Sequence, residues 1–384
     1  MTGRPARLVA AHGLAAVAMA MPWPALLAAT WGATGSELWL GVVGAARMAP
    51  YVLLSWLAGR LADRVPRLRL LRVVTGLRAG LLVACALLMA RDDVVGAVIV
   101  ATLVVAGGTP AYPALAAAMP RLAGASTDSV TSWLVTVEVS AFVVGPAIGG
   151  LLLGPFGAGG AVGLAAVTAV AASAVLSTVE TGDDVRAGAE RDSGHAAALF
   201  RTPGVVRSIT AVAVVNAVEG AAALALLPMS VLVWGGGDTT FGVATAALGF
   251  GALATPVLHR LARGMRTAVV LTAAALVAVA VSPGVGLAVL PLALIGTAGT
   301  QVECEATAVI QRAVPDSLRG FALGVADTAM VSAAMVGAAV APWLAGALGP
   351  RVLFALLGAA TLAVLLTHRS VLRPTHHPIG AVSA

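Results

Sequence analysis

Long apolar segments alternate with short polar turns along almost the whole sequence. Each segment holds about 20 mostly apolar residues, the length that an α-helix needs to cross the hydrocarbon core of a bilayer. The pattern predicts twelve membrane-spanning helices, which we number spans one to twelve. They are expected near 8–31, 37–58, 69–90, 94–118, 127–153 and 159–179, and then near 205–233, 239–259, 266–282, 285–310, 318–347 and 351–368.

One longer polar segment, TGDDVRAGAERDSGHAAALFRTPG, divides the spans into two sets of six. Its mixed charges are typical of a solvated connector rather than of a binding site. We therefore predict an N-terminal six-helix bundle at 1–180, a cytoplasmic linker at 181–204, a C-terminal six-helix bundle at 205–370 and a cytoplasmic tail at 371–384.

The two halves of the chain share short, similar segments. VGPAIGG at 144–150 corresponds to VAPWLAG at 340–346, and RLAD at 60–63 corresponds to RLAR at 260–263. The offsets are nearly constant, and each pair falls at the same place in its half. The pattern indicates a duplicated six-helix unit, so the two bundles are expected to be related by a pseudo-twofold axis, as in many transporters.

Composition excludes a soluble globular protein. Of 384 residues, 59% are hydrophobic and only 10% are charged, and the mean hydropathy is +0.98. Soluble domains carry about 25% charged residues. The apolar run after Arg4 and Arg7 could be a signal peptide, but it is long enough to span, and we interpret it as span one. The fold class predicted is an all-α integral membrane protein.

The distribution of arginine predicts the orientation. All 23 basic residues are arginine; two of them (Arg91 and Arg351) fall in loops on the side opposite the termini, two (Arg47 and Arg78) fall within spans, and the rest lie on the side of the termini. The positive-inside rule therefore predicts that both termini are cytoplasmic. Because these arginines are scattered over short loops, they indicate topology and no nucleic-acid partner. The bias towards Arg, Ala and Gly favours a bacterial cytoplasmic membrane.

The sequence GRLADRVPRLRLLR, from Gly59 to Arg72, forms the turn between spans two and three. Glycine permits close approach to a neighbouring helix, and Asp63 can face a helix N-terminus and nearby arginines. We predict that Gly59, Asp63, Arg64 and Arg67 form a cytoplasmic latch between the bundles. The alternative is a plain topogenic signal.

A second motif, GPAIGG from Gly145 to Gly150, lies late in span five. Pro146 removes a backbone donor and bends the helix, and Gly145, Gly149 and Gly150 permit close contact with other helices. The alternative is a generic kink with small-residue packing.

Both motifs resemble signatures of the major facilitator superfamily. The turn is similar to its Gly-x-Leu-Ala-Asp-Arg-x-Gly-Arg pattern, with departures at Pro66 and Leu68, and GPAIGG is similar to the fifth-helix motif of its proton-driven exporters. Residues 46–80, with Arg47 and Arg78, resemble the branch of enterobactin-type siderophore exporters and multidrug pumps. The resemblance implies twelve helices in two bundles, alternating access, no cofactor, and a latch that favours the outward-open state.

Ionisable residues within spans are the candidate functional residues, since a lone ion at mid-bilayer costs at least a few kcal/mol. Arg47 and Arg78 are expected to be structural ion-pair partners. Glu138, Glu219 and Glu303 are candidates for proton or substrate binding, with static pairing as the alternative; Asn216 shares a helical face with Glu219. In the superfamily, helices one, four, seven and ten line the cavity, which favours Glu219 and Glu303. The usual proton-relay arginine of span four is missing.

Three further ionisable residues are predicted to lie near the membrane surface instead. Glu305 and Asp327 are expected close to headgroups, and His12 is expected at the interface at the start of span one. We hypothesise that burial favours the neutral form of Glu219 or Glu138, so that one of them takes up a proton outside the cell and releases it inside.

These observations together predict a monomeric, proton-coupled exporter of a small amphipathic molecule, such as a drug, an antibiotic or a siderophore. An importer of a small nutrient on the same fold is the alternative. A membrane enzyme or a sensor is a weaker one, because the sequence shows no nucleophile–base pairing, metal-ligand spacing or phosphate-binding loop. Cys85 and Cys304 fall in apolar segments and are predicted to be free thiols.

Overall fold

The computed structural model describes residues 3–123, 127–179, 203–255, 264–313 and 316–367, and the regular elements within these ranges are helical. The linker predicted at 181–204 and the tail at 371–384 fall almost entirely outside the described residues. The helices are Arg4–Ala20, Pro22–Thr34, Glu37–Arg64, Arg67–Met89, Val94–Gly108, Ala111–Ala123, Thr127–Ser177, Pro203–Pro228, the π-helical turn Met229–Val233, Asp238–Ala252, Met265–Val281, Val285–Ala313, Asp316–Leu348 and Pro350–Thr367.

The helices confirm the twelve predicted spans. Within the described residues, eight helical stretches are long and apolar enough to cross a membrane, and one of them, Thr136–Ser177, contains both span five and span six. The shorter apolar helices Met265–Val281 and Pro350–Ala363 are spans nine and twelve. Span eight begins with Asp238–Ala252. Spans one and four each consist of two consecutive helices that meet at Met21 and at Thr109–Pro110.

The connection between spans five and six is tighter than expected. In place of a loop, the chain reverses at a single non-helical residue, Gly157, with φ 65° and ψ −178°. A residue with a Cβ is strained at this φ, so glycine suits the turn. The helices on either side therefore run on to the turn itself.

The packing of the spans shows the predicted pseudo-twofold relation. Within the N-terminal bundle, span five packs along span one; within the C-terminal bundle, span eleven packs along span seven. Between the bundles, span five packs against span eight, and span eleven packs against span two. Exchanging the two bundles turns the contact of span five with span one into that of span eleven with span seven. It likewise turns the contact of span five with span eight into that of span eleven with span two.

The buried apolar residues show on which side the bundles are joined. We call the side where span one begins and span twelve ends the terminal face, and the opposite side the far face. One core cluster includes residues of both bundles, such as Trp23 and Phe241, and lies towards the far face. Towards the terminal face the clusters are separate, one around Leu71 in the N-terminal bundle and others around Val212 and Ile310 in the C-terminal bundle.

Glycines bring the bundles together in the far half of the molecule. Gly150 of span five and Gly242 of span eight contact each other through their backbones, and Gly41 of span two lies on the Ala339 carbonyl of span eleven. A side chain at any of these glycines would overlap the neighbouring backbone. Small residues at such crossings allow close helix packing in lipid.

Candidate transport site

A set of polar residues lies within the membrane-spanning helices, about two to five helical turns from the terminal face. We call this set the polar layer. In the N-terminal bundle it contains His12, Arg47, Tyr51, Arg78, Tyr112 and Glu138, and in the C-terminal bundle it contains Asn216, Glu219, Glu303 and Asp327.

The shortest contact in the layer joins His12 of span one to Glu138 of span five. His12 Nε2 lies 2.6 Å from Glu138 Oε2. The histidine is only 4% exposed, and its ring lies 6.2 Å from that of Tyr112. Gly13, next to His12, lies against Val137, which allows spans one and five to pack closely at this level. The expectation that His12 sits at the interface was therefore wrong, because its side chain faces span five.

Arg78 is the most deeply buried cation of the layer, at 2% exposure. Its guanidinium donates a hydrogen bond of 2.7 Å to the Ala15 carbonyl of span one and packs on Gly108 of span four. It lies within electrostatic range of Glu138 and Tyr51. Arg47 also lies within electrostatic range of Tyr51. Both arginines thus belong to the layer, and a role in ion pairing stays a prediction.

Tyr51 connects three spans of the N-terminal bundle. Its hydroxyl lies 3.6 Å from the Met19 sulfur of span one, and its ring contacts Phe142 of span five edge-on, with centroids 5.8 Å apart. The sequence contains only two tyrosines, and both lie in the polar layer. Their scarcity in so apolar a chain was the signal that could have identified them.

The C-terminal side of the layer is acidic. The Asn216 side chain donates a hydrogen bond of 3.1 Å to the Val212 carbonyl of its own helix and lies near Glu303, and Glu219 lies within electrostatic range of Glu303. Glu219 Oε1 is buried and has no hydrogen-bond partner in the structure. The structure thus brings together Asn216, Glu219 and Glu303, the three C-terminal residues that the sequence singled out.

Asp327 of span eleven faces the opposite bundle. Its side chain is exposed, and it lies within electrostatic range of Glu303 in its own bundle and of Glu138 and Tyr112 in the other. The expectation that Asp327 lies near headgroups was wrong. By contrast, Glu305 accepts a hydrogen bond from the Gly264 amide at the start of span nine, on the terminal face.

The two sequence motifs lie outside the layer. Gly59, Asp63 and Arg64 belong to the last turns of the helix of span two, and their side chains fall outside what the structure describes. Arg67 begins span three and is buried. The latch stays a prediction.

The motif in span five packs on two neighbours. Gly145 contacts Ala20 and the Val17 carbonyl, and Gly149 contacts the Met21 carbonyl, all in span one. Gly150 faces Gly242 of span eight in the other bundle. Pro146 lies inside the helix. The six residues of the motif therefore contact both span one of the same bundle and span eight of the other bundle.

The described residues include no group of three or more His, Cys, Asp or Glu side chains that could hold a metal ion. Cys85 is buried, Cys304 is exposed, and both are free thiols.

Comparisons with known proteins identify the same architecture. The sequence model described as Major Facilitator Superfamily matches residues 8–330. A comparison with curated protein sequences finds no significant match.

Solved structures of transporters share the fold over nearly the whole chain. A point mutant of the nucleoside transporter NupG superposes with a TM-score of 0.72 at 13% identity and covers 97% of this chain and 100% of its own. A bacterial homologue of the human lysosomal transporter Spinster, in an inward-facing and unoccupied conformation, has a TM-score of 0.68 at 12% identity and covers 97% and 96%. The human organic anion transporter MFSD10 (TETRAN) has a TM-score of 0.66 at 16% identity and covers 95% and 99%.

Proposed function

Because the chain belongs to the Major Facilitator Superfamily, we propose that it is a proton-coupled exporter of small amphipathic molecules that works by alternating access. Glu219 and Glu303 bind the coupling proton in this proposal. The resemblance to siderophore exporters and multidrug pumps in the segment around Arg47 and Arg78 supports the class of substrate.

The observation that carries proton coupling is an acid pair without a cation. Glu219 and Glu303 lie within electrostatic range of each other, and the sequence has no arginine or lysine at 208–259, 267–311 or 320–350. Two carboxylates in such a site cannot both stay ionised at low cost. No basic side chain of their own bundle neutralises the charge of this pair. A bound proton is therefore the simplest way to neutralise it.

The packing of the bundles supports alternating access. The shared core near the far face and the separate cores near the terminal face fit a state that opens the polar layer to the terminal face. The excess of arginine on that face favours a cytoplasmic location for it. Substrate then enters from the cytoplasm as the proton leaves, and the outward-open state releases substrate and takes up a proton. Asp327 and Glu138 face each other across the gap that this motion closes.

The direction of transport rests on the motif in span five, which resembles that of proton-driven exporters. An importer would run the same cycle with substrate and proton moving together.

Expression in a pump-deficient bacterial host tests the function directly. Cells that carry the protein should accumulate less of a labelled amphipathic antibiotic than control cells, and a protonophore should abolish the difference. Greater accumulation than in control cells would indicate import. A difference that persists with the protonophore would contradict proton coupling.

A further inference from the structure

We propose that Gly299 of span ten is a positioning residue for Glu219, because the missing side chain at Gly299 forms the notch in which the Glu219 carboxyl sits. The inference deepens the proposed proton-coupled function and rests on it. Nothing in the motifs singled out from the sequence points to this glycine.

The contact is specific to the carboxyl group. A Cβ placed on Gly299 would overlap Glu219 Oε1, and it would lie 2.5 Å from Cδ and 3.2 Å from Oε2. Unbonded heavy atoms pack at about 3.5–4.0 Å. Any residue larger than glycine would therefore displace the carboxyl group or move span ten away from span seven.

Neighbouring glycines have a different environment. A Cβ on Gly296, one turn earlier in span ten, would meet the backbone of span eight at Leu248 and Ala252, and a Cβ on Gly220 would meet the Ala334 backbone of span eleven. These two glycines allow helix backbones to approach each other. At Gly299 the three nearest atoms all belong to the Glu219 side chain. A glycine inside a helix costs about 1 kcal/mol relative to alanine. Because no helix backbone is among the three nearest atoms at Gly299, close packing of helices does not explain a glycine at this position.

The notch controls what surrounds the carboxyl. Oε1 is shielded from solvent and has no hydrogen-bond partner, so an ionised Glu219 is disfavoured in the notch and a neutral one is tolerated. The titratable group within electrostatic range of Glu219 is Glu303 of span ten, and Glu303 in turn lies within electrostatic range of Asp327 of span eleven. By holding Glu219 next to Glu303, Gly299 favours one proton on the pair.

A set of variants tests the notch. Gly299→Ala should lower proton-driven efflux about tenfold, since a displacement of about 1 Å can cost up to 100-fold. It should also move the pH of half-maximal efflux to a lower value, since a carboxyl expelled towards water needs more acid to keep its proton. Glu219→Asp shortens the side chain by one methylene, about 1.5 Å. The shorter side chain leaves room for the Cβ that Gly299→Ala adds, so the double variant with both changes should recover the wild-type pH profile.

Two controls in the same span separate positioning from packing. Gly286 has open space where a Cβ would go, so Gly286→Ala should leave both the rate and the pH profile unchanged. Gly296→Ala should lower the melting temperature and leave the pH profile in place. Any of three results would overturn the inference. The pH profile could be unaffected by Gly299→Ala, it could shift equally in Gly296→Ala, or it could fail to recover when Glu219→Asp is added to Gly299→Ala.

Thermal unfolding of the purified variants distinguishes failure of the notch from failure of the proposed function. If Gly299→Ala and Glu219→Asp are non-additive in melting temperature, the notch exists whether or not protons drive transport. Additive effects would contradict the notch even in a proton-coupled protein.

Discussion

His12 of span one, which is buried, and Glu138 of span five, which is partly buried, form a close pair with 2.6 Å between Nε2 and Oε2. The two residues are 126 positions apart in the sequence, and the pair fixes two spans of the N-terminal bundle at the level of the polar layer. Tyr112 flanks the histidine, and Asp327 of the other bundle lies within electrostatic range of the glutamate. The pair therefore lies where the bundles face each other.

Removing one member of this pair should destabilise the protein. Glu138→Ala leaves the buried His12 without its hydrogen bond, at a cost of about 1–3 kcal/mol, and His12→Ala should cost less because Glu138 is only partly buried. We expect a lower melting temperature in detergent for each single variant and a smaller additional loss in the double variant. Equal, additive losses would contradict a direct interaction.

The two glutamates at the end of span ten should differ in function. Glu303 belongs to the polar layer, whereas Glu305 caps the start of span nine at the terminal face. Glu303→Gln should abolish the dependence of efflux on the proton gradient. The membrane potential supplies a driving force of about 2.3 kcal/mol per charge at 100 mV. If Glu303→Gln also loses coupling to the potential, the substrate gradient that the protein can maintain across the membrane should fall by about 50-fold. Glu305→Gln should retain coupling, and the comparison is made by labelled-substrate efflux with and without protonophore. Equal loss in both variants would rule out a special role for Glu303.

The contact between Gly150 and Gly242 should be required for closure at the far face. Gly150→Leu cannot pack against span eight, so the equilibrium should shift towards a state that is open on the far face. Spin labels on Thr34→Cys and Gly237→Cys, in a background without Cys85 and Cys304, report the separation of the bundles there. We expect a longer mean distance in the variant.

A matched control is available for that experiment. Gly163 of span six has open space around the position of a Cβ, so Gly163→Leu should leave the distance distribution unchanged. An unchanged distribution in Gly150→Leu as well would contradict the role of the glycine contact.

The reversal at Gly157 should depend on glycine. With φ at 65° and ψ at −178°, Gly157→Ala forces a residue with a Cβ into a backbone conformation that is essentially restricted to glycine, at a cost of about 1–3 kcal/mol. Gly159 has equally open surroundings but no positive φ, so Gly159→Ala should have little effect. Differential scanning fluorimetry of the two purified variants measures the contrast. Equal melting temperatures would indicate that the turn accommodates other residues.

The spans could be predicted from sequence because bilayer thickness determines the length of each apolar run. The family could be predicted because the turn after Gly59 and the motif around Pro146 are short and local. Asn216 and Glu219 could be placed on one face from their spacing of three residues. Each of these inferences needs only local sequence or one helical period.

The remaining features depend on which helix faces which. His12 was expected at the interface because depth along a span does not reveal the neighbour of a side chain. The same holds for Asp327, which faces the other bundle. Gly299 gave no signal because the sequence contains 44 glycines, and only the packing of span ten against span seven shows which one lies beside a carboxyl.

Proton flux in liposomes that contain only the purified protein tests the central proposal most directly. With a pH-sensitive dye inside, addition of an amphipathic substrate outside should drive protons out of the liposomes as the substrate enters, since antiport runs in either direction according to the gradients. Glu219→Gln should abolish this flux. Proton movement in the same direction as the substrate, or an equal flux in Glu219→Gln, would contradict the proposal.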